Sequence, residues 1–210
     1  GEPNTFLDVA ANYAAYGCYD EALELLRLYA GKHPMPAYYA AYYSALSGNR
    51  EESRLALADA AKRSPLYCFP NKLTDIAVLE YAVRVSPEDA KGPYYLGDLW
   101  YDKKQYAKAR ELWEKSVSID RQFPTAWRNL SLAYYNKGKN PEEAQKALET
   151  AFLLDTTDAR VFLELDQLYK KRGVAPDARI RNFDKYKSLV EQRDDLCVEY
   201  ITLLNLLGRH

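Results

Sequence analysis

WRNLSLAYYNKG, residues 127–138, decides the fold. Trp127, Leu130, Ser131 and Tyr134 fall at i, i+3, i+4 and i+7, one face of a helix. Phe162, Leu165, Asp166 and Tyr169 repeat that spacing 35 residues later, and Pro93, Leu96, Gly97 and Trp100 repeat it 34 residues earlier. Phe6, Val9, Ala10 and Tyr13 repeat it again near the start. A small residue follows each block, Ala22, Ala109, Ala144 or Ala178, with Leu26, Trp113 and Leu148 four residues beyond the first three. Gly17, Gly48, Gly138, Gly173 and Gly208 mark the turn between the two elements. A glycine such as Gly17 or Gly138 can take the left-handed conformation that ends a helix.

The pattern predicts helical hairpins. The first helix of each carries the apolar block. The alanine of the second lets the two axes approach closely. Pro34, Pro65, Pro87 and Pro124 are expected to close the units, because a helix cannot run through them. One hairpin cannot bury its apolar face alone, so neighbours must stack into an all-α solenoid. Composition agrees. The 210 residues are 48% apolar and 28% charged, too apolar for a disordered chain. Glycine and proline are sparse, against a turn-dense β-architecture.

The series W-x2-L-G-x2-Y…A…P resembles the tetratricopeptide repeat. The likeness implies a right-handed α-α superhelix over 1–210. Its units are expected at about 3–34, 35–66, 91–123, 124–157 and 158–193, with a half-unit at 194–210. Residues 67–90 depart from the pattern: they hold one clear helix, Leu73 to Val85, and read as an irregular half-repeat. The second unit also departs, with Ser44 and Ser53 in place of the usual Tyr and Ala. More narrowly, YYLGDLWYDKKQYAKARELWEKS (94–116) and the two repeats after it are similar to the repeat region of large bacterial proteins that carry an N-terminal β-sandwich domain of unknown function.

The resemblance also implies a site. In such proteins the first helices line a concave groove. Carried over position by position, the groove residues are Tyr38 and Tyr42, then Tyr94, Asp98, Tyr101 and Asp102. Next come Arg128, Leu132, Tyr135 and Asn136, and finally Gln167, Lys170 and Lys171. Tyrosine offers a rigid apolar face with one polar tip, suited to peptide or sugar recognition. An Arg128 fork would grip a carboxylate. Tyr13, Tyr134 and Tyr169 occupy the motif's own core position and are expected to pack. The two-carboxylate clamp of chaperone-binding relatives matches poorly, since Leu132 stands where that clamp wants Asn.

Chemistry finds little raw material. Only two histidines occur, His33 and His210. No glycine-rich phosphate loop, GxSxG or HExxH appears. Cys18, Cys68 and Cys197 lack the spacing of a zinc site or a disulfide framework. No enzyme activity, metal or cofactor is therefore expected. The net charge of -1 argues against general nucleic-acid binding, and no apolar run reaches the ~20 residues of a membrane span. Charge is nonetheless uneven: residues 1–90 hold 8 Lys+Arg against 12 Asp+Glu. The basic stretch Lys170, Lys171, Arg172, Arg179, Arg181, Lys185 and Lys187 reads as a solvated helix face interleaved by Asp177 and Asp184.

The leading expectation is a non-catalytic module that holds a protein or peptide in its groove. Alternatives are an auxiliary region of a larger, carbohydrate-related protein, packed on its own N-terminal domain, and a self-associating scaffold. The last follows from Leu196, Tyr200, Ile201, Leu203, Leu204, Leu206 and Leu207, which make helix 196–207 apolar on most sides. The favoured explanation of that surface is a chain cut before its partner helix; the rival is pairing with another subunit. The opening Gly1-Glu2-Pro3, without Met, fits an excised fragment, and cytoplasmic localisation is the default.

Overall fold

The apolar blocks do become helices. The computed structural model describes residues 2–209; Gly1 and His210 lie outside them. Among the described residues the regular structure is entirely helical. In order, the helices are α1 (Pro3–Ala15), α2 (Tyr19–Arg27), α3 (Met35–Leu46), α4 (Arg50–Lys62), α5 (Leu73–Val85), α6 (Lys91–Asp102) and α7 (Tyr106–Ile119). They continue with α8 (Pro124–Asn136), α9 (Pro141–Leu154), α10 (Ala159–Lys171), α11 (Pro176–Lys185), α12 (Lys187–Val190) and α13 (Asp194–Leu206). None is long and apolar enough to cross a membrane.

Local chemistry sets the helix ends. Asn49, Asn140 and Asp158 cap α4, α9 and α10 by accepting the N–H of Glu52, Glu143 and both Arg160 and Val161. Glu51-Glu52, Glu142-Glu143 and Asp194-Asp195 fall in first turns, where the helix dipole favours anions. The prolines divide into two roles. Pro65 and Pro87 lie just past α4 and α5, whereas Pro34 and Pro124 open α3 and α8 rather than closing the helix before. The turns differ from expectation at one glycine. Gly17, Gly48, Gly173 and Gly208 take positive φ, but after α8 it is Lys139 that does so, and after α6 it is Lys104.

The chain forms two compact units, residues 1–120 and 121–210. In the first, α1/α2, α3/α4 and α6/α7 are hairpins, and the unpaired α5 packs between α3 and α6. Two adjacent tyrosines of α3 hold α5 at both ends. Tyr39 donates to Asp75 at its start (2.7 Å), and Tyr38 donates to Asp89 just past its end (2.6 Å). In the second unit α8/α9 is a close hairpin and α10 packs on α9, while α11 makes its nearest backbone contacts with α13 and α12. Its core is phenylalanine-rich, with Phe162 in ring contact with both Phe152 and Phe183.

Candidate functional site

The residues expected to line a groove separate into two groups. In the first unit most are used for packing. Tyr38 is 0% exposed and spends its hydroxyl on Asp89; Tyr94 is also buried, its ring against Tyr95. Neither presents a face to solvent, so the groove reading does not hold for them. Their burial has a physical cause: α5 lies between α3 and α6, and both rings pack against Tyr95 in that layer. Tyr42 is half-buried against Tyr43 and Tyr81. Asp98 accepts the indole N–H of Trp113 at 3.0 Å, and Tyr101 packs between Tyr106 and Trp113. Asp102 is exposed at the end of α6, paired with Lys103.

The second unit brings predicted residues together. Tyr135 and Asn136 from α8 face Gln167 from α10 across a cleft of about 130 Å³. Leu132 and Lys171 line it too, with Leu148 and Leu168 among its apolar walls. The Lys171 ammonium lies 5.3 Å from the Tyr135 ring centroid, within cation–π range. The cleft opens toward a shallow basin of about 550 Å³ bounded by the same two residues and by Lys139 and Arg172. Glu164, which the motif does not mark, also lines the 130 Å³ cleft. Glu164 accepts two hydrogen bonds from Arg128, at 2.7 Å from Nε and 2.5 Å from Nη2. The Arg128 fork is thus engaged within the chain and is not free to grip a ligand carboxylate.

Lys170 points elsewhere. Its ammonium, largely exposed, meets Glu199 of α13 at 2.9 Å, at the edge of an ionic cluster whose inner pair is buried. Arg179, 4% exposed, pairs with Asp166 at 2.7 Å and with Glu199 at 2.6 Å. This corrects the reading of Arg179 as part of a solvated basic face. Burial pushes the Glu199 carboxyl upward, but hydrogen bonds from Lys170 and Arg179 outweigh it and hold the group below its ordinary value. The register explains why Arg179 is inside. Thirteen residues separate Ser131 from Ala144, whose carbonyl it bonds, and thirteen separate Asp166 from Arg179. The inner position of α11 is therefore Arg179, while Ala178 is only half-buried.

A third recess of about 240 Å³ lies between α9, α10 and α11, walled by Phe152, Phe162 and Tyr186. Among the described residues no group of three His, Cys, Asp or Glu is placed to hold a metal ion. The cysteines are free thiols, and burial raises the Cys68 thiol far above its usual range.

Comparison with known proteins bears on the fold. Residues 97–138 match the family model of the TPR repeat, which spans α6 to α8. Among solved structures, MamA matches at 16% identity over 88% of this chain and 95% of its own, with a TM-score of 0.52. MamA from Desulfovibrio magneticus RS-1 matches at 19% identity over 91% and 96%, with a TM-score of 0.50. TTC0263, a thermophilic TPR protein of Thermus thermophilus, matches at 18% identity over 96% and 98%, with a TM-score of 0.50. At these identities the likeness concerns the fold, which is that of a tetratricopeptide-type solenoid.

Proposed function

We propose that the chain is a non-catalytic protein-interaction module that seats a peptide segment in the α8/α10 cleft. One observation carries the reading: Leu132, Tyr135, Asn136 and Gln167, from two successive first helices, converge on one recess. An apolar floor with a few polar groups at the rim is how recognition sites are built. The aromatic wall at Tyr135 supplies contact area at low entropic cost. The tetratricopeptide-type fold supports an interaction role, and a cleft that continues into an open surface basin suits an extended peptide. Peptides selected against the full chain from a displayed library provide the test. A Tyr135→Ala/Gln167→Ala variant is expected to weaken their binding about tenfold, the loss typical of removing an interface anchor. Equal affinity for both proteins overturns the placement.

Self-association is the second reading, favoured by the outer face of α13. Val198, Ile201 and Leu206 are largely exposed there, while Leu196 and Leu203 face inward. Clustered exposed apolar side chains mark interaction surfaces. Sedimentation should show a concentration-dependent dimer that Ile201→Glu abolishes; a monomer at all concentrations removes this reading.

A further inference from the structure

The connection from α4 to α5, where the repeat pattern breaks, holds two aromatic rings that the core does not use. Tyr67 is 86% exposed and Phe69 is 73% exposed. Tyr67 also sits at φ +60°, a conformation that bulky residues avoid. The two rings line an open cavity of about 320 Å³, which the start of α1, His33 and Asp75 line as well.

The charge of this cavity is one-sided. Its described lining includes two carboxylates, Glu2 and Asp75, and neither lysine nor arginine. Asp75 is 3% exposed, and among the described residues its oxygens accept from neutral donors: the Tyr39 hydroxyl at 2.7 Å and the N–H groups of Asn71 and Lys72 at 2.9 Å each. Nearby cations are committed elsewhere. The Lys72 ammonium pairs with Asp8, and Arg63 binds Asp59 and the carbonyls of Gly31 and His33. Burial, opposed by Asp75 and aided by Arg63, holds the His33 pKa below its ordinary value, which favours the neutral ring. Its Nδ1 accepts the Met35 N–H, which fits a neutral ring. A buried carboxylate without a cation is costly, and an open aromatic face attracts cations.

We propose that this cavity receives one cationic side chain, arginine or lysine, of a partner polypeptide. The charge lies toward Glu2 and Asp75, and the apolar stem lies along the Tyr67 and Phe69 rings. A neutral group would leave Asp75 without a counter-charge and forgo the cation–π attraction of the rings, and an anion would be repelled by both carboxylates. The site belongs to the first unit and uses no residue of the α8/α10 cleft, so either can fail without the other.

The test is an NMR titration of the isotope-labelled full chain with acetyl-Gly-Arg-Gly-amide, its lysine analogue, and its citrulline analogue, which keeps the shape of arginine without the charge. The cationic peptides are expected to give saturable shifts at the amides of Asn71, Lys72 and Asp75 and at the Tyr67 ring. Citrulline is expected to bind about tenfold more weakly. The Tyr67→Ala/Phe69→Ala variant alters only exposed rings, so an unchanged circular-dichroism melt is expected, together with a similar loss of binding. Glu2→Gln is the second, milder variant and should weaken the cationic peptides alone. Equal binding of citrulline, undiminished binding by both variants, or no saturable shift at these positions up to about 10 mM peptide, the weak end for one side chain, overturns the proposal.

Discussion

Gly97 shows how one residue fixes a hairpin. It occupies the small position of the α6 block, and a Cβ built there would lie 2.6 Å from two indole atoms of Trp113. Trp113 is buried, and its N–H is held by Asp98, so the ring has no free direction in which to retreat. Gly97→Ala should therefore destabilise the chain by about 1–3 kcal/mol, the cost of overpacking a dense core, despite the better helix propensity of alanine. Urea unfolding followed by tryptophan fluorescence measures it, and an unchanged midpoint would show that the indole moves freely. Ser131 fills the equivalent place in α8 and turns it to use, donating to the Ala144 carbonyl at 2.7 Å. The left-handed turns were legible at Gly17, Gly48, Gly173 and Gly208, but Gly138 misplaced the one after α8. They were illegible at Lys104 and Lys139, because there the hairpin geometry imposes the conformation on residues with no preference for it.

At the scale of helices, the α10/α11 pair departs from the other hairpins for an electrostatic reason. Ala22, Ala109 and Ala144 let their helices close, whereas Arg179 places a guanidinium at that position and Asp166 answers it from α10. Removing one partner strands the other. Arg179→Ala is expected to cost about 3–5 kcal/mol, because Asp166 is left charged and buried. Asp166→Leu combined with Arg179→Met should recover most of that loss, since a buried ion pair can often be replaced by apolar packing at little cost. Denaturant melts of the two variants decide it; a double variant as weak as the single would place the defect in packing and not in charge. The helical period could be read from the sequence because apolar spacing alone carries it. The Arg179–Asp166 and Arg128–Glu164 pairs could not, since each depends on which of two adjacent residues faces inward after a turn of variable length. For the same reason the candidate cleft was readable only in part: Tyr135, Asn136 and Gln167 follow from the motif, whereas Glu164 does not.

Across the whole molecule, the tyrosine excess is distributed by architecture. The first unit must cover the lone α5, and it does so with Tyr38, Tyr39 and Tyr95, all of them fully buried. The second unit has paired helices beside α10 and fills its core with phenylalanine. This difference gives the chain an alkaline weakness located in its first unit. Burial, reinforced by Asp89 for Tyr38, by Asp75 for Tyr39 and by Cys68 for Tyr95, raises all three phenols far above their ordinary value of 10.0. The folded state then holds phenol protons that the unfolded state releases once pH passes about 10. The stabilisation is complete below that pH and declines above it, by about 1.4 kcal/mol per pH unit for each such tyrosine. The chain should therefore lose helicity in one step as pH rises beyond about 10, with tyrosinate absorbance from the buried rings appearing in that step and not before it. Tyr95→Phe removes one of the three proton-linked groups and should move the transition to higher pH. Tyrosinate absorbance that completes its rise while the helical circular dichroism persists would mean that these phenols ionise in place, and that the tyrosine-packed α3–α5–α6 core admits water.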